Sequence, residues 1–501
     1  MMMTEKSIYA ILLENAETAG DKIAYINDEE KYTWSEVYEL VNNLIGLFQG
    51  WGITKESTAV LFFPRSIDSP FILLALRAIG VLCVLFAPES QTEEDKATIK
   101  KQFPNCYLFG EKKDENQGDW WCEFDGKSKI FNKKTKYEAC VEKKTLIYDN
   151  GEKSAAFVIY TSGSTGAVKG VLLREYGLIY NATHEHGRLG GKPDDIMMCV
   201  APLHHVVGII IIITNLIYTS AIFFAKSRSP EYVIERIEKY RCTRIDGVPT
   251  FFLMLIEKMQ ERNADLSSLR GGVLAGSSYT PKQFMKIENA LGIRLCSSYG
   301  MTETSTAICN PHIDDPIELR SKSVGHFVQG MEGVFKTASG GRITEAYQEG
   351  EICVKSCQLM IGYLSDDGTI DPHVDEEGYF HTGDLGYYDE QGNVYITGRC
   401  KDIIIRGGEN LSPRRIEEII TDIKDVKNAC VVGIENEKYG EIVGALVVTE
   451  SYDVESLMRI LRERLRKCEV PAKLVISREM PLGKTGKPDK KEVRRLLENG
   501  K

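Results

Sequence analysis

The sequence predicts an α/β protein: a large N-terminal domain of parallel-rich sheets covered by helices, then a small α+β C-terminal domain. Three observations predict it. The 501 residues exceed what one simple core holds. Short apolar runs alternate with helical patterns through most of the chain, the signature of parallel strands with helices on their faces. After Asp402 the character changes to short strands and charged amphipathic helices, a stretch the size of an independent small domain.

The elements follow in order. The first twenty residues form an amphipathic helix pattern, with Ile8, Leu12 and Leu13 on one face; charge interrupts it at both ends, unlike a secretory leader. Lys22–Tyr25 and Tyr32–Thr33 read as a hairpin around Asn27-Asp28. Trp34–Gly50 reads as a helix, with Val37, Leu40, Val41, Leu44 and Leu47 at helical spacing. Val60–Phe63 is a strand, Phe71–Ile79 a helix and Val81–Ala87 a strand. Residues 108–154 are polar, lysine-rich and weakly periodic, and are expected at the surface. Ala155–Tyr160 is a strand, Glu175–His186 a helix and Met197–Ala201 a strand.

Val206–Ala225 is about 20 residues of mostly apolar chain, which meets the length rule for a membrane span. Thr214, Asn215, Thr219 and Ser220 inside it favour a buried helix followed by a buried strand, Ala221–Ala225. Arg244–Val248 is a strand, Phe251–Met259 a helix, and the strand Gly271–Ala275 leads into the small-residue turn Gly276-Ser277-Ser278. Ligands collect beyond the carboxyl ends of strands in open α/β sheets, so a site is expected there. Asp389–Gly392 reads as a hairpin turn. Beyond it, Ile403–Ile405 is a strand. Ser412 and Pro413 are the N-cap and first residue of a helix carrying Ile416, Ile419, Ile420 and Ile423 on one face. Ala429–Ile434 and Val443–Val448 are strands, and Val454–Cys468 is a charged amphipathic helix.

Composition narrows the function classes. The sequence is 43% hydrophobic and 27% charged, as in ordinary globular proteins. Its net charge of −10 disfavours a nucleic-acid partner. The thirteen cysteines are dispersed and include no C-x-x-C pair, which reads as reduced core thiols in a cytoplasmic protein without a membrane span. The eight histidines form no H-E-x-x-H pattern.

The chemistry-bearing stretch is Ala155–Gly170. A strand delivers Thr161, Ser162, Gly163, Ser164, Thr165 and Gly166, and Lys169 follows three residues later. Glycines let backbone N–H groups approach a polyphosphate, hydroxyls donate hydrogen bonds, and lysine adds a point charge. The order is not that of the P-loop of nucleotide hydrolases. It resembles the phosphate-loop signature of the adenylate-forming superfamily, acyl-CoA synthetases of the fatty-acid or aryl-acid type included. Val168 stands where that family has proline, which softens the loop without removing a ligand group. Further motifs follow colinearly: Tyr299-Gly300-Met301-Thr302-Glu303, Thr382-Gly383-Asp384, Gly398-Arg399, and Gly486-Lys487 near the C-terminus. Arg415 replaces a family glutamate and Gly483 a family threonine.

The resemblance implies ATP-dependent activation of a carboxylic acid to acyl-AMP, then transfer to the thiol of coenzyme A. It implies a domain of residues 1–398 binding ATP and the acid, a hinge at 399–402 around Lys401, and a mobile lid at 403–501. Tyr299 would stack on the adenine, Thr302 bond the α-phosphate and Glu303 bind Mg²⁺. Asp384 would hold the ribose hydroxyls, and Arg399 the ribose or phosphate. Lys487 would be the catalytic lysine, delivered and withdrawn by the lid; Gly407 and Gly408 would line a tunnel for the pantetheine arm. Gly276, Ser277 and Gly300 are expected at the nucleotide, and His205 at the mouth of the acid pocket. That pocket is expected to be apolar, lined by Val206, Val207, Val248, Leu274 and Ala275. Amino-acid-activating relatives carry an aspartate just after the position of His205; a buried ammonium has no such partner here, so a fatty or aryl acid is expected. Two alternatives stay open: a freestanding ligase loading the phosphopantetheine arm of a carrier protein, and a non-catalytic nucleotide-binding protein. The acid's chain length and the oligomeric state are not encoded in these motifs.

Overall fold

The computed structural model describes residues 6–88, 93–111, 120–124, 127–131, 155–162, 168–365, 367–483 and 488–499. Among these, two nine-stranded sheets dominate. The first has a parallel centre of Ile23–Ile26, Ala221–Phe224, Ile196–Cys199, Arg244–Ile245, Gly271–Ala275 and Arg294–Met301. Antiparallel strands flank it, Lys31–Thr33 at one edge and Thr306–Asn310 followed by the edge strand His326–Phe327 at the other. The second is parallel through Tyr107–Glu111, Thr58–Phe62, Leu82–Phe86 and Ala155–Ser162, then antiparallel outward to Val168–Arg174 and Gly362–Leu364.

Five helices lie in the core shared by these sheets: Ile8–Ala19, Trp34–Gly50, Asp68–Ile79, Glu175–Arg188 and Val206–Tyr218. Local signals set their ends. Thr33 and Glu36 form a reciprocal capping box at the second helix. Gly80 ends the third in the left-handed conformation, φ +91°. Val206–Tyr218 is buried nearly all round, which explains its uniformly apolar sequence. No helix among the described residues is long and apolar enough to cross a membrane.

Two expectations change. Residues 108–154 are not simply a polar surface stretch. Tyr107–Glu111, Trp120–Phe124 and Lys127–Phe131 extend the second sheet, and Leu108, Phe109, Trp120 and Cys122 are buried. The strand expected over Arg244–Val248 is only Arg244–Ile245, because the Asp246 carboxylate accepts the Val273 N–H at 2.9 Å and takes the place of a ladder bond.

A third, antiparallel sheet contains Arg342–Ile343, Glu332–Lys336, Gly350–Lys355, Phe380–Tyr388 and Val394–Arg399. The C-terminal portion is smaller and mixed. Val426–Asn436 and Gly440–Thr449 pair along their length, with Ile404–Arg406, Glu409–Leu411 and Lys473–Ser477 added. The helices Pro413–Thr421 and Val454–Arg464 share one core on this sheet, built on Ile416, Ile420, Leu457 and Leu461. Ser412 caps the first of these helices through the Arg415 N–H, as expected from sequence.

A candidate nucleotide and acyl-transfer site

Ala155–Ser162 and Val168–Arg174 form an antiparallel pair that places Thr161 opposite Lys169. The expected phosphate-binding residues Gly163, Ser164, Thr165 and Gly166 lie outside the described residues. Lys169 is placed: its ammonium sits 4.4 Å from the centre of the Tyr363 ring. Tyr363 arrives on Gly362–Leu364, whose register with Val168–Arg174 sets Tyr363 beside Val171. Its hydroxyl donates to Glu303 Oε1 at 2.8 Å. Tyr363 therefore joins the lysine of one motif to the carboxylate of another, a role the sequence reading missed.

Glu303 itself is held by a tight turn. Arg294–Met301 runs into the single 3₁₀ turn Thr302–Thr304, and Thr306–Asn310 returns beside it. Thr304 Oγ1 donates back to this loop, and the Glu303 carbonyl accepts the Met360 N–H at 2.7 Å. Thr302 and Glu303 are half-buried on that turn. Gly300 has a steric reason independent of any ligand: a Cβ there would lie 1.6 Å from the Thr306 carbonyl oxygen.

The second group centres on Asp384. In the pairing of Gly350–Lys355 with Phe380–Tyr388, Glu351 faces Leu385 while Cys353 faces His381. The longer side of this register shift is a bulge over Thr382-Gly383-Asp384, with Gly383 at φ +71°. Glu351 Oε1 accepts the Gly383 N–H at 3.0 Å, and Thr382 Oγ1 accepts the Asp384 N–H at 3.1 Å. The bulge turns Asp384 toward the first sheet, where Tyr299 donates its hydroxyl to Oδ2 at 2.9 Å. Arg399 reaches Oδ1 at 2.8 Å. Burial raises the Asp384 carboxyl above its ordinary range, against the lowering by Arg399 and Tyr299. Burial first, then the Asp384 charge, holds the Tyr299 phenol well above its own.

At the carboxyl ends of the parallel strands, Gly276 turns the chain with φ +79°, 3.5 Å from Val248 Cγ1 measured at its would-be Cβ; Ser277 follows half-buried. His205 precedes the helix Val206–Tyr218, with its ring 4.5 Å from that of His204. Burial, then His205, pushes the His204 imidazole down to about 4. The proposed apolar pocket is only partly assembled. Leu274 is fully buried in the core beneath the first sheet, packed with Phe252 and Phe284, and Ala275 points to the opposite face. Val206 belongs to the main core and Val207 is exposed. Besides Ala275, which directly precedes it, Val248 is the one of these five that adjoins the Gly276 turn.

Gly407 and Gly408 form the exposed two-residue turn between Ile404–Arg406 and Glu409–Leu411, with φ +60° and +89°. Both values explain glycine by hairpin geometry. Among the described residues, apart from its chain neighbours, no atom lies within 4 Å of a Cβ built on Gly408. Lys401 is exposed on the 3₁₀ turn Cys400–Asp402. Lys487 lies outside the described residues. Arg415, the departure from the family pattern, pairs with the buried carboxylate of Glu469 at 3.1 Å.

The AMP-binding enzyme family model matches residues 12–364, and the AMP-binding enzyme C-terminal domain model matches residues 415–487. A 2-succinylbenzoate–CoA ligase of Bacillus cereus (strain Q1) is 28% identical over 496 residues, covering 97% of this chain and 98% of the relative. That of Bacillus mycoides (strain KBAB4) is 29% identical over 489 residues, with the same coverage. Among solved structures, o-succinylbenzoate CoA synthetase (MenE) from Bacillus subtilis, in complex with its acyl-adenylate intermediate OSB-AMP, superposes with TM-score 0.79 at 24% identity, over 98% of each chain. ATP-bound MatB from Rhodopseudomonas palustris gives TM-score 0.83 at 21% identity, over 100% of each.

Proposed function

We propose a reaction for this chain, which belongs to the AMP-binding enzyme family: AMP-forming ligation of a carboxylic acid to the thiol of coenzyme A. In the first half-reaction a carboxylate oxygen of the acid attacks the α-phosphorus of ATP. The bond from that phosphorus to the bridging oxygen breaks, pyrophosphate leaves and acyl-AMP forms. In the second, the thiol of coenzyme A gives up its proton, its sulfur attacks the acyl carbonyl, and AMP leaves. The observation that carries the reading is the Tyr299–Asp384–Arg399 contact. Residues 85 positions apart in sequence meet within hydrogen-bond distance, in the combination suited to a base and a ribose.

Each group has a physical task. Asp384 accepts from ribose hydroxyls with the lone pairs left on its two oxygens. The Tyr299 ring offers a face to adenine. Thr161 and Lys169, beside the phosphate loop, and Thr302 face the phosphates, where positive charge and donors stabilise the charge that develops at phosphorus. Glu303 fits a magnesium ion. It is a hard oxygen donor on a fixed turn, next to Lys169 and Tyr363. The described residues place their one cluster of three His, Cys, Asp or Glu donors elsewhere, so Glu303 leaves such an ion its water and phosphate ligands. When bound, magnesium neutralises phosphate charge. Residues 399–402 serve as the hinge between residues 1–398 and 403–501, and Lys487 comes to the phosphates with the smaller domain. Gly407 and Gly408 face the thiol arm in the other arrangement.

The acid is aromatic in this reading. The curated relatives are named for 2-succinylbenzoate, and the region after His205 carries no carboxylate for a substrate ammonium. The test is pyrophosphate release with ATP and Mg²⁺ across 2-succinylbenzoate, benzoates and short to long fatty acids, with and without coenzyme A. Multiple turnovers only with coenzyme A, together with an acyl-CoA product, are expected. A single-turnover burst that coenzyme A fails to relieve would move the acceptor to a carrier protein. No release with any acid, coupled to no ATP binding by calorimetry, would sink the enzymatic reading.

A further inference from the structure

Beside the Asp384 bulge, three side chains of different chemistry converge. Glu351 and Cys353 project from one strand, two residues apart and so on the same face. His381 is the cross-strand partner of Cys353 on the neighbouring strand. His381 Nδ1 lies 2.9 Å from Glu351 Oε2 and 3.5 Å from Cys353 Sγ, and the three donor atoms all lie within 4.8 Å of one another. None of these residues is needed by the ligase chemistry above.

We propose that Glu351, Cys353 and His381 form a binding site for a thiophilic divalent cation of the zinc class. The set supplies one carboxylate oxygen, one imidazole nitrogen and one sulfur, which suits a borderline-soft ion and neither Mg²⁺ nor Ca²⁺. Zinc bond lengths and a tetrahedral angle require donor separations of about 3.3–3.6 Å; the His381–Cys353 pair already meets this and the His381–Glu351 pair must open by only a few tenths of an ångström. A carboxylate and a thiolate balance two positive charges. Burial pushes the free Cys353 thiol up to about 12, and a coordinated dication removes that proton to solvent.

The supporting groups are in place. His381 Nε2 lies 3.2 Å from Asp375 Oδ2, which holds a ring proton there; the proton that Nδ1 shares with Glu351 Oε2 in the metal-free protein goes to solvent when an ion takes its place. Asp375 is itself fixed by Lys336 Nζ at 2.6 Å and by the Glu377 and Tyr379 N–H groups, so it orients the imidazole and is not a ligand. Cys353 is fully buried, while Glu351 and His381 are partly exposed, which gives the ion an entry path and leaves a fourth position for water. The Glu351 oxygen that faces away from the cluster holds Gly383, the residue before Asp384. An ion here therefore braces the bulge that aims Asp384.

Cobalt(II) reports thiolate ligation by colour, so the full-length reduced, chelator-treated protein is titrated with Co²⁺ and then Zn²⁺. A thiolate-to-cobalt absorption band saturating at one equivalent and bleached by Zn²⁺ is expected. Cys353→Ser is expected to lose it, His381→Gln to weaken binding tenfold or more, and Cys357→Ser and Cys400→Ser to retain it. Zn²⁺ is expected to raise the melting temperature of the wild-type protein and not of His381→Gln, a comparison that does not depend on the serine variant folding. A band that survives Cys353→Ser, or that disappears with Cys357→Ser or Cys400→Ser, would place the ion on a surface thiol. Equal zinc stabilisation of the wild type and His381→Gln would also overturn the site.

Discussion

Asp384 is held on both oxygens before any nucleotide arrives, by Tyr299 on one and Arg399 on the other. Hydrogen bonds to a charged group are worth about 1.5–3 kcal/mol. Asp384→Asn is therefore expected to raise the KM for ATP by roughly 10- to 100-fold, with a thermal melt close to wild type. An unchanged KM would remove Asp384 from the ribose. Glu185 gives a pH-dependent case. Its carboxyl is buried, accepts from the Ser298 hydroxyl at 2.9 Å, and lies in the field of Asp246. Burial chiefly raises it from 4.5 to about 7. Between those two values the folded protein binds more protons than the unfolded chain, so this group makes stability fall as pH rises through that window. Glu185→Gln removes the titrating group and keeps an acceptor for Ser298. Its stability relative to wild type is expected to rise through the window, and at pH 8 to exceed wild type by up to roughly 3 kcal/mol. Urea denaturation at pH 5 and pH 8 measures both; an equal gain at the two pH values would mean that Glu185 is not the group responsible.

Elements carry the site through long-range ties. Glu175 accepts the Ile8 N–H at 2.9 Å and pairs with Arg77 at 2.8 Å, with both side chains almost wholly buried. One carboxylate thus joins the first, third and fourth of the five central helices, at the residue directly after the Lys169 strand. Glu175→Ala leaves the Arg77 guanidinium buried without that partner, and is expected to lower stability by about 3–5 kcal/mol; a loss under about 1 kcal/mol would show that water reaches Arg77. Neither member of this pair stands out in the sequence. What was legible there had local chemistry: the Thr33–Glu36 cap, the Ser412-Pro413 start, the helix spacing of Val37 to Leu44, and the hydroxyl, carboxylate and glycine motifs. Tyr363 was not, because its partners Lys169 and Glu303 come from strands and turns far away in sequence, and only the sheet register brings them together. Leu274 was misplaced for a simpler reason: adjacent strand residues face opposite ways, so Leu274 and Ala275 could not line one wall. In 108–154 the high lysine content masked an alternation in which Trp120 and Cys122 turn inward.

At the scale of the whole molecule, the short segment between Arg399 and Asp402 is tied at both ends. Arg399 is anchored to Asp384 on the larger portion, and Asp402 pairs with Lys490 on the C-terminal helix at 2.7 Å. Ser412 adds a second tie across the junction, donating to the Thr397 carbonyl at 2.6 Å. Any rotation of the smaller domain must therefore be absorbed largely by Cys400 and Lys401, and must either carry the Asp402–Lys490 pair along or break it. The pair is partly solvent-exposed, so its removal costs at most about 1 kcal/mol. That is small for stability, yet it shifts a two-state equilibrium about fivefold. Asp402→Asn is expected to melt within a few degrees of wild type. If the pair belongs to one arrangement only, the two half-reactions respond in opposite directions. Whichever step uses the arrangement described here slows by up to about fivefold, and the other is unchanged or faster. Acyl-AMP formation from acid and ATP, and thioester formation from supplied acyl-AMP, measured separately, read the two arms. Equal slowing of both would mean that the pair is kept in either arrangement, and any balance between arrangements would then rest on the Ser412–Thr397 tie.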